Sequence, residues 1–387
     1  MIWKEPSTSI SKNNRSNKRR KELNTKKTNT AFPKFTYVLW GILALSILVY
    51  IAALISPEFA DLYNAYPGAL IRAALAYLTA LFPLSVAEFL IISLPALLFF
   101  IIYIACKHYC SSLRESIVYI VSLLSCVSLF FSLFTLGFGC GYHGKTLDQK
   151  LEIEKTNVAP LELKLTSALV AGEVNRYVPE VEFGEDGFSK MPYSVFEMNR
   201  KLLKAYDSLC EKYDFIQKLY VGVKPVMLSE AMSYTHITGV YTYFTGEANI
   251  NVNFPDYTLP FTAAHELAHQ RGISREDEAN FIAFLVCCES DDPYIKYSGY
   301  LNMYEYLASA LSAQKDAYKE VFFSLDPLVR AEMKAYSAFF NKYRHSVAGK
   351  VSEKVNDTFL QVQGTVGTKS YGMVVDLAVA YYRDDIS

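Results

Sequence analysis

Three stretches of this chain are apolar over about the 20 residues needed to cross a bilayer, and they constrain everything else it can do. Residues 37–56 carry no charge, 86–105 carry only Glu88 near one end, and 116–137 are again uncharged. Such runs are expected to leave water, so the chain reads as a multi-pass membrane protein with the lipid bilayer as its first partner. A fourth stretch, 66–85, contains Arg72 and is interrupted by Pro83. It reads as an interfacial or re-entrant helix, with a fourth crossing left open. The first apolar run is too long and too far from the start for a cleaved signal peptide. Residues 36–140 are therefore expected to form the membrane domain.

The formal net charge is −1, so only local charge is informative. Residues 1–35 are basic, with Lys12, Arg15, Lys18, Arg19, Arg20, Lys21, Lys26 and Lys27 among Asn, Ser and Thr. Too few apolar groups are present to order such a segment, which reads as a disordered tail. Beside a membrane helix it serves as a topology signal, and no nucleic acid is expected as a partner. With the tail in the cytoplasm, three crossings return Lys107, His108 and Arg114 to the cytoplasm and put everything after Gly141 outside. The seven cysteines form no CxxC pair, which argues against a cysteine zinc site, and the odd count argues against a full disulfide framework.

Residues 141–387 read as one α+β domain, mainly helical with a small sheet. Apolar residues recur at helical period over 195–219. Residues 239–254 are rich in β-formers, with a turn at Thr245-Gly246-Glu247. Asn249-Ile250-Asn251-Val252-Asn253-Phe254 alternates strictly and predicts a half-buried strand, either internal or at an edge where an extended peptide could pair. From Pro260 onward the pattern is helical almost to the end.

Within that region lies Phe261-Thr-Ala-Ala-His265-Glu266-Leu-Ala-His269-Gln270-Arg271-Gly272. On a helix, His265 and His269 share one face, a turn apart, and can reach a single Zn2+ at ~2.0–2.1 Å. Glu266 sits beside the first ligand, placed to take a proton from a water that the ion activates. Gly272 is suited to end the helix in a left-handed conformation. Gln270 and Arg271 face away from the histidine pair and are expected in solvent.

A zinc site needs a third protein ligand. Ser274-Arg275-Glu276-Asp277 reads as a capping box that opens a second helix. Glu276 and Asn280 then fall on one face, with Glu276 as ligand and Asn280 bound to the outer nitrogen of a ligating histidine. Glu278, on a different face, is the rival ligand.

His265-Glu-Leu-Ala-His269 followed by Glu276-Asp-Glu-Ala-Asn280 is similar to the gluzincin branch of zinc peptidases, in which a Glu on a second helix completes the site. More of the chain resembles a bacterial membrane-anchored family, the domain of unknown function 3810. The resemblance rests on the apolar N-terminal runs, Gly246-Glu247-Ala248, the HELAHQRG block with EDEANF, Tyr297-Ser298-Gly299-Tyr300, and Gly367-Thr-Lys-Ser370-Tyr371-Gly372. It implies a zincin-like domain behind transmembrane helices, at the bacterial cell membrane.

Hydrolysis also needs a donor for the developing oxyanion. Tyr297 and Tyr300 are the leading candidates, followed by Tyr371 and His236; His143 and His345 have no partners in sequence. The expected function is a zinc-dependent peptidase acting on a peptide or protein substrate outside the cytoplasm. The alternative is a non-catalytic membrane sensor or scaffold that keeps zinc for structure, which would have no need of Glu266. An intramembrane protease is excluded by Asp256, Arg271, Arg275, Glu276 and Asp277 around the histidines.

Overall fold

The computed structural model describes residues 32–109, 112–365 and 373–386. The basic run at 12–27 and Tyr371 lie outside the described residues. The chain forms two compact units, one from residues up to 43 with 94–129, the other from 44–93 with 130–387.

Among the described residues, three helices are long and apolar enough to cross a membrane: α1 (Lys34–Ile55), α4 (Val86–Ile104, continued by a π turn) and α5 (Leu113–Gly137). Between α1 and α4 run α2 (Pro57–Tyr63) and α3 (Ala69–Ala80), joined by a π-helical turn over Asn64–Gly68 that accommodates Pro67. In the smaller unit the Thr36 hydroxyl meets that of Ser122, and the Tyr119 hydroxyl donates to the Ile101 carbonyl at 2.8 Å. These bonds satisfy polar groups where lipid offers no partners.

The larger unit takes in 44–93, so it begins well before residue 141. The reason is visible in α3. Ala69, Arg72, Ala76 and Thr79 recur on one buried face, while Leu70 and Leu78 are exposed on the other. Arg72, expected at an interface, is inside the protein. Its guanidinium donates to Asn64 Oδ1 (2.7 Å), the Asn64 carbonyl (2.8 Å), the Gly137 carbonyl (2.9 Å) and Gln217 Oε1 (3.2 Å). A buried charge is tolerated when its donors are met in this way.

The start of α4 is tied down as firmly. The Glu247 carboxylate accepts from the backbone amides of Val86 (2.9 Å) and Ala87 (2.8 Å), and Ser85 Oγ accepts from Glu88 (3.0 Å). Those are three of the amides a helix N-terminus leaves unsatisfied. Lys224 Nζ completes the cluster, donating to Glu247 at 2.7 Å and to the Thr79 and Leu84 carbonyls. Glu88 in turn accepts from the amides of Met227 and Leu228.

After α5 come α6 (Pro160–Tyr177), α7 (Val195–Lys212) and a sheet of three short strands, β1 (Lys224–Pro225), β2 (Gly239–Thr242) and β3 (Glu247–Ile250). The strand order is β1-β3-β2, parallel between β1 and β3 and antiparallel between β2 and β3, with Tyr241 opposite Ala248. The half-buried strand expected over 249–254 is corrected: β3 starts at Glu247, ends at Ile250 and is buried throughout. As the central strand it has α8 (Thr258–Gln270) against it and α3 nearby, so alternation is no guide to its exposure. Beyond it Asn251 adds one last backbone bond, from its amide to the Thr238 carbonyl at 2.8 Å, and the asparagine side chains turn elsewhere: Asn251 Nδ2 donates to Ser233 and the Ile237 carbonyl, and Asn253 Nδ2 to Ser233 and Tyr343.

The longer helices that follow are α9 (Glu276–Glu289), α10 (Pro293–Leu311), α11 (Lys315–Ser324), α12 (Pro327–Phe340), α13 (Val347–Val362) and α14 (Val374–Tyr381). Helix α9 is the hub, packing on α7, α8, α10 and α14. It is buried from Asp277 to Cys287, and from Phe281 to Cys287 it is apolar on every side.

Candidate metal centre

Helix α8 carries His265, Glu266 and His269, and α9 carries Glu276. The link between them is short because Gly272 adopts φ +94°, a conformation that leaves room for the chain to reverse. The Ile273 amide bonds back to the Ala268 carbonyl at 3.1 Å, closing the end of α8. The expected capping box is absent. Arg275 is the N-cap of α9 and makes no side-chain capping bond, and Ser274 Oγ instead donates to the Phe138 carbonyl at 2.9 Å.

Three expected ligands converge. Glu276 Oε2 lies 3.3 Å from His265 Nε2 and 3.5 Å from His269 Nε2. Ligand atoms around a tetrahedral zinc at ~2.0–2.1 Å are about 3.4 Å apart, so the spacing fits that ion. His269 Nδ1 is 2.7 Å from the Ile273 carbonyl, which selects the tautomer that leaves Nε2 bare for a metal. His265 Nδ1 is buried without a partner among the described residues.

The electrostatics favour a cation at this point. Burial opposes ionisation of Glu276, but His269 and His265 overcome it and hold the carboxyl well below its usual range. Burial likewise opposes charge on His269, yet Glu276 raises it to about 9.

Glu266 is buried, with Oε2 unpartnered among the described residues. Burial pushes its carboxyl up to about 7, partly offset by His265 and His269. It lies against β2: a Cβ added at Gly239 would sit 2.6 Å from Glu266 Oε1, so only glycine fits there.

Other expected residues go elsewhere. Glu278 Oε1 accepts from the Leu147 amide and from Arg275, both at 2.9 Å, and is a structural anchor outside the converging group. Asn280 is buried beside the Tyr306 hydroxyl, and the outer nitrogen of His269 goes to Ile273 instead. Tyr297 and Tyr300 are not brought to the histidines. Tyr297 donates to Glu332, and Tyr300 stacks on Tyr177 and packs against Phe284. Both look into the core because α10 turns that face toward α6 and α9. His236, at φ +62°, bonds the Tyr343 carbonyl through Nε2. Gln270 and Arg271 are buried, not solvated. Gln270 Nε2 donates to the Gly246 carbonyl, and Arg271 lies 4.0 Å over the Tyr206 ring. A helix covered on every side leaves no solvent face for them.

Several neighbours of the site had no sequence signal. Phe138, just past α5, places its ring 5.6 Å from that of His269. Tyr142 and Tyr306 are both close enough to Glu276 to feel its charge. They come from segments far from the motif, and with 29 tyrosines in the chain nothing marks these two.

Residues 63–379 match a family model described as "Protein of unknown function (DUF3810)". No curated protein and no solved structure matches the chain.

Proposed function

The chain belongs to the DUF3810 family, and from that premise we propose that it is a membrane-anchored zinc peptidase with a zincin-like domain. The observation that carries the reading is Glu276 Oε2 set between the Nε2 atoms of His265 and His269, with Glu266 one residue from the first. These three residues would hold the ion. Zinc, when bound, polarises a carbonyl and lowers the pKa of a water to about 7. Glu266 Oε2, buried and unpartnered among the described residues, would accept the proton that water gives up and pass it to the departing amine. Tyr142 and Tyr306 replace Tyr297 and Tyr300 as candidates to donate to the oxyanion. β2 lies at the sheet edge beside Glu266, where an extended peptide or protein segment would pair. A zinc scaffold without catalysis has no use for a buried carboxylate with an empty acceptor at this position.

The test uses the full chain in detergent or nanodiscs, loaded with zinc and offered a proteome-derived peptide library read by mass spectrometry. Cleavage by the wild type, and loss by about 10²–10⁴-fold in Glu266→Gln with zinc retained, is the expected result. Equal cleavage by both proteins would overturn the reading.

A further inference from the structure

Helix α13 carries an apolar stripe that the other described residues leave largely exposed. Val347, Val351, Val355, Phe359 and Val362 follow each other at three- and four-residue steps, so they share one face. The valines are 78, 57, 63 and 71% exposed. Gly349 and Leu360, on another face, are buried against the protein. A third face is charged, with Lys350, Glu353 and Lys354 exposed. A helix that already has a protein-facing side would normally fill the rest of its surface with polar residues.

The position of the stripe says what covers it. The Phe359 ring lies 5.6 Å from that of Phe134, and both belong to the larger unit. Phe134 is three residues from the end of α5, so the contact sits about 5 Å inside the end of a membrane-length helix, at 1.5 Å rise per residue. That is the depth at which amphipathic helices lie in the headgroup region. Lys350 and Lys354 each precede a stripe valine and have the length to reach back to phosphates. A second patch marks the same level: Met227 and Leu228 are exposed where their amides bind Glu88, in the first turn of α4.

We infer that α13 lies in the membrane surface, with the valine stripe among the acyl chains near the headgroups and the lysines at the phosphates. The domain thereby rests on the bilayer through an in-plane helix as well as through its spans. This inference rests on the reading of α1, α4 and α5 as spans and is independent of zinc.

The experiment places the full chain in vesicles of phosphatidylcholine and phosphatidylglycerol, with or without bromine on the upper acyl carbons. Bromine quenches tryptophan on contact. In a Trp3→Phe/Trp40→Phe background, Val351→Trp and Val355→Trp are compared with Glu353→Trp. Trp40 alone, in Trp3→Phe, reports on α1. Expected are blue-shifted emission and loss of most of it to brominated lipid at 351 and 355, with Glu353→Trp little affected. Quenching of all three alike, or of none, would overturn the inference. So would blue-shifted emission at 351 and 355 that bromine leaves untouched, which would mean that protein covers the stripe. An unquenched Trp40 would instead remove the span reading on which the inference stands.

Discussion

The side-chain amide of Asn64 donates to the carbonyl of Gly272 at 2.9 Å, joining the turn after α2 to the bend that ends α8, the helix of the two histidines. The same Asn64 accepts from Arg72, whose Nη2 would lie 2.4 Å from a Cβ added at Gly272. The residues that fix the angle between α8 and α9, and so the distance from the histidines to Glu276, are therefore held from the segment between the first two membrane-length helices.

Gly272→Ala is expected to be harmful on two counts, a positive φ and a collision with a buried guanidinium. The strain alone is on the order of 1–3 kcal/mol. Differential scanning calorimetry of the detergent-solubilised chain should show a lower Tm, and zinc should be released faster to a chelator. Asn64→Ala should do the same more mildly, and an unchanged release rate in both variants would remove this segment from the metal site's support.

Zinc stoichiometry separates the two carboxylates. His265→Ala, His269→Ala and Glu276→Ala each remove a proposed ligand, and plasma emission analysis should find metal lost from all three. Glu278→Ala should keep its zinc but melt earlier, because the Leu147 amide and Arg275 lose their acceptor. Zinc loss in Glu278→Ala with retention in Glu276→Ala would reverse the assignment.

Glu305 supplies a pH dependence away from the metal. Burial pushes its carboxyl up to about 7, the Tyr257 hydroxyl opposes that through a 3.1 Å bond, and Glu332 adds to it. A folded pKa above the unfolded value means that the folded state keeps the proton longer. The associated stability is complete below the unfolded pKa of 4.5 and is lost as pH rises through about 7. Glu305→Gln removes that loss. It should be more stable than wild type at about pH 8, on the order of 1–2 kcal/mol after allowance for partial exposure, with the gap closing near about pH 5. Parallel chemical denaturation curves that keep the same separation at both pH values would contradict it.

Sidedness follows from the number of crossings. The ends Ile55, Val86 and Gly137 of the three membrane-length helices all fall in the larger unit, as three crossings require. Alkaline phosphatase fused after Gly141 should be active, and fused after Ala105 inactive, if the basic tail stays in the cytoplasm. The opposite pattern would put the metal site in the cytoplasm.

The sequence made the three apolar helices and the His265, Glu266, His269 and Glu276 grouping legible because each depends on local spacing alone. What it hid depends on long-range closure. Arg72 looked like an interfacial charge, since its partners Asn64, Gly137 and Gln217 are unremarkable in sequence. Glu247 looked like a turn residue, though it caps a helix 160 residues earlier. Gln270 and Arg271 obeyed the helical wheel, but a wheel cannot reveal that α8 is enclosed on all sides. Tyr297 and Tyr300 had the right chemistry, and only tertiary packing turns them into the core.

The grip of Glu247 on Val86 and Ala87 also bears on shedding. Many anchored enzymes are set free by one cut in the stalk that joins them to the lipid. Here a cut in the turn between α5 and Leu147 would sever the covalent link and leave the domain in place. Glu247 would still hold the head of α4, Lys224 would still bind the Thr79 and Leu84 carbonyls, and Asn64 would still bind the Gly272 carbonyl on the far side of the break. Among the described residues no stalk separates this domain from α4 and α5, and release would require these buried bonds to break as well.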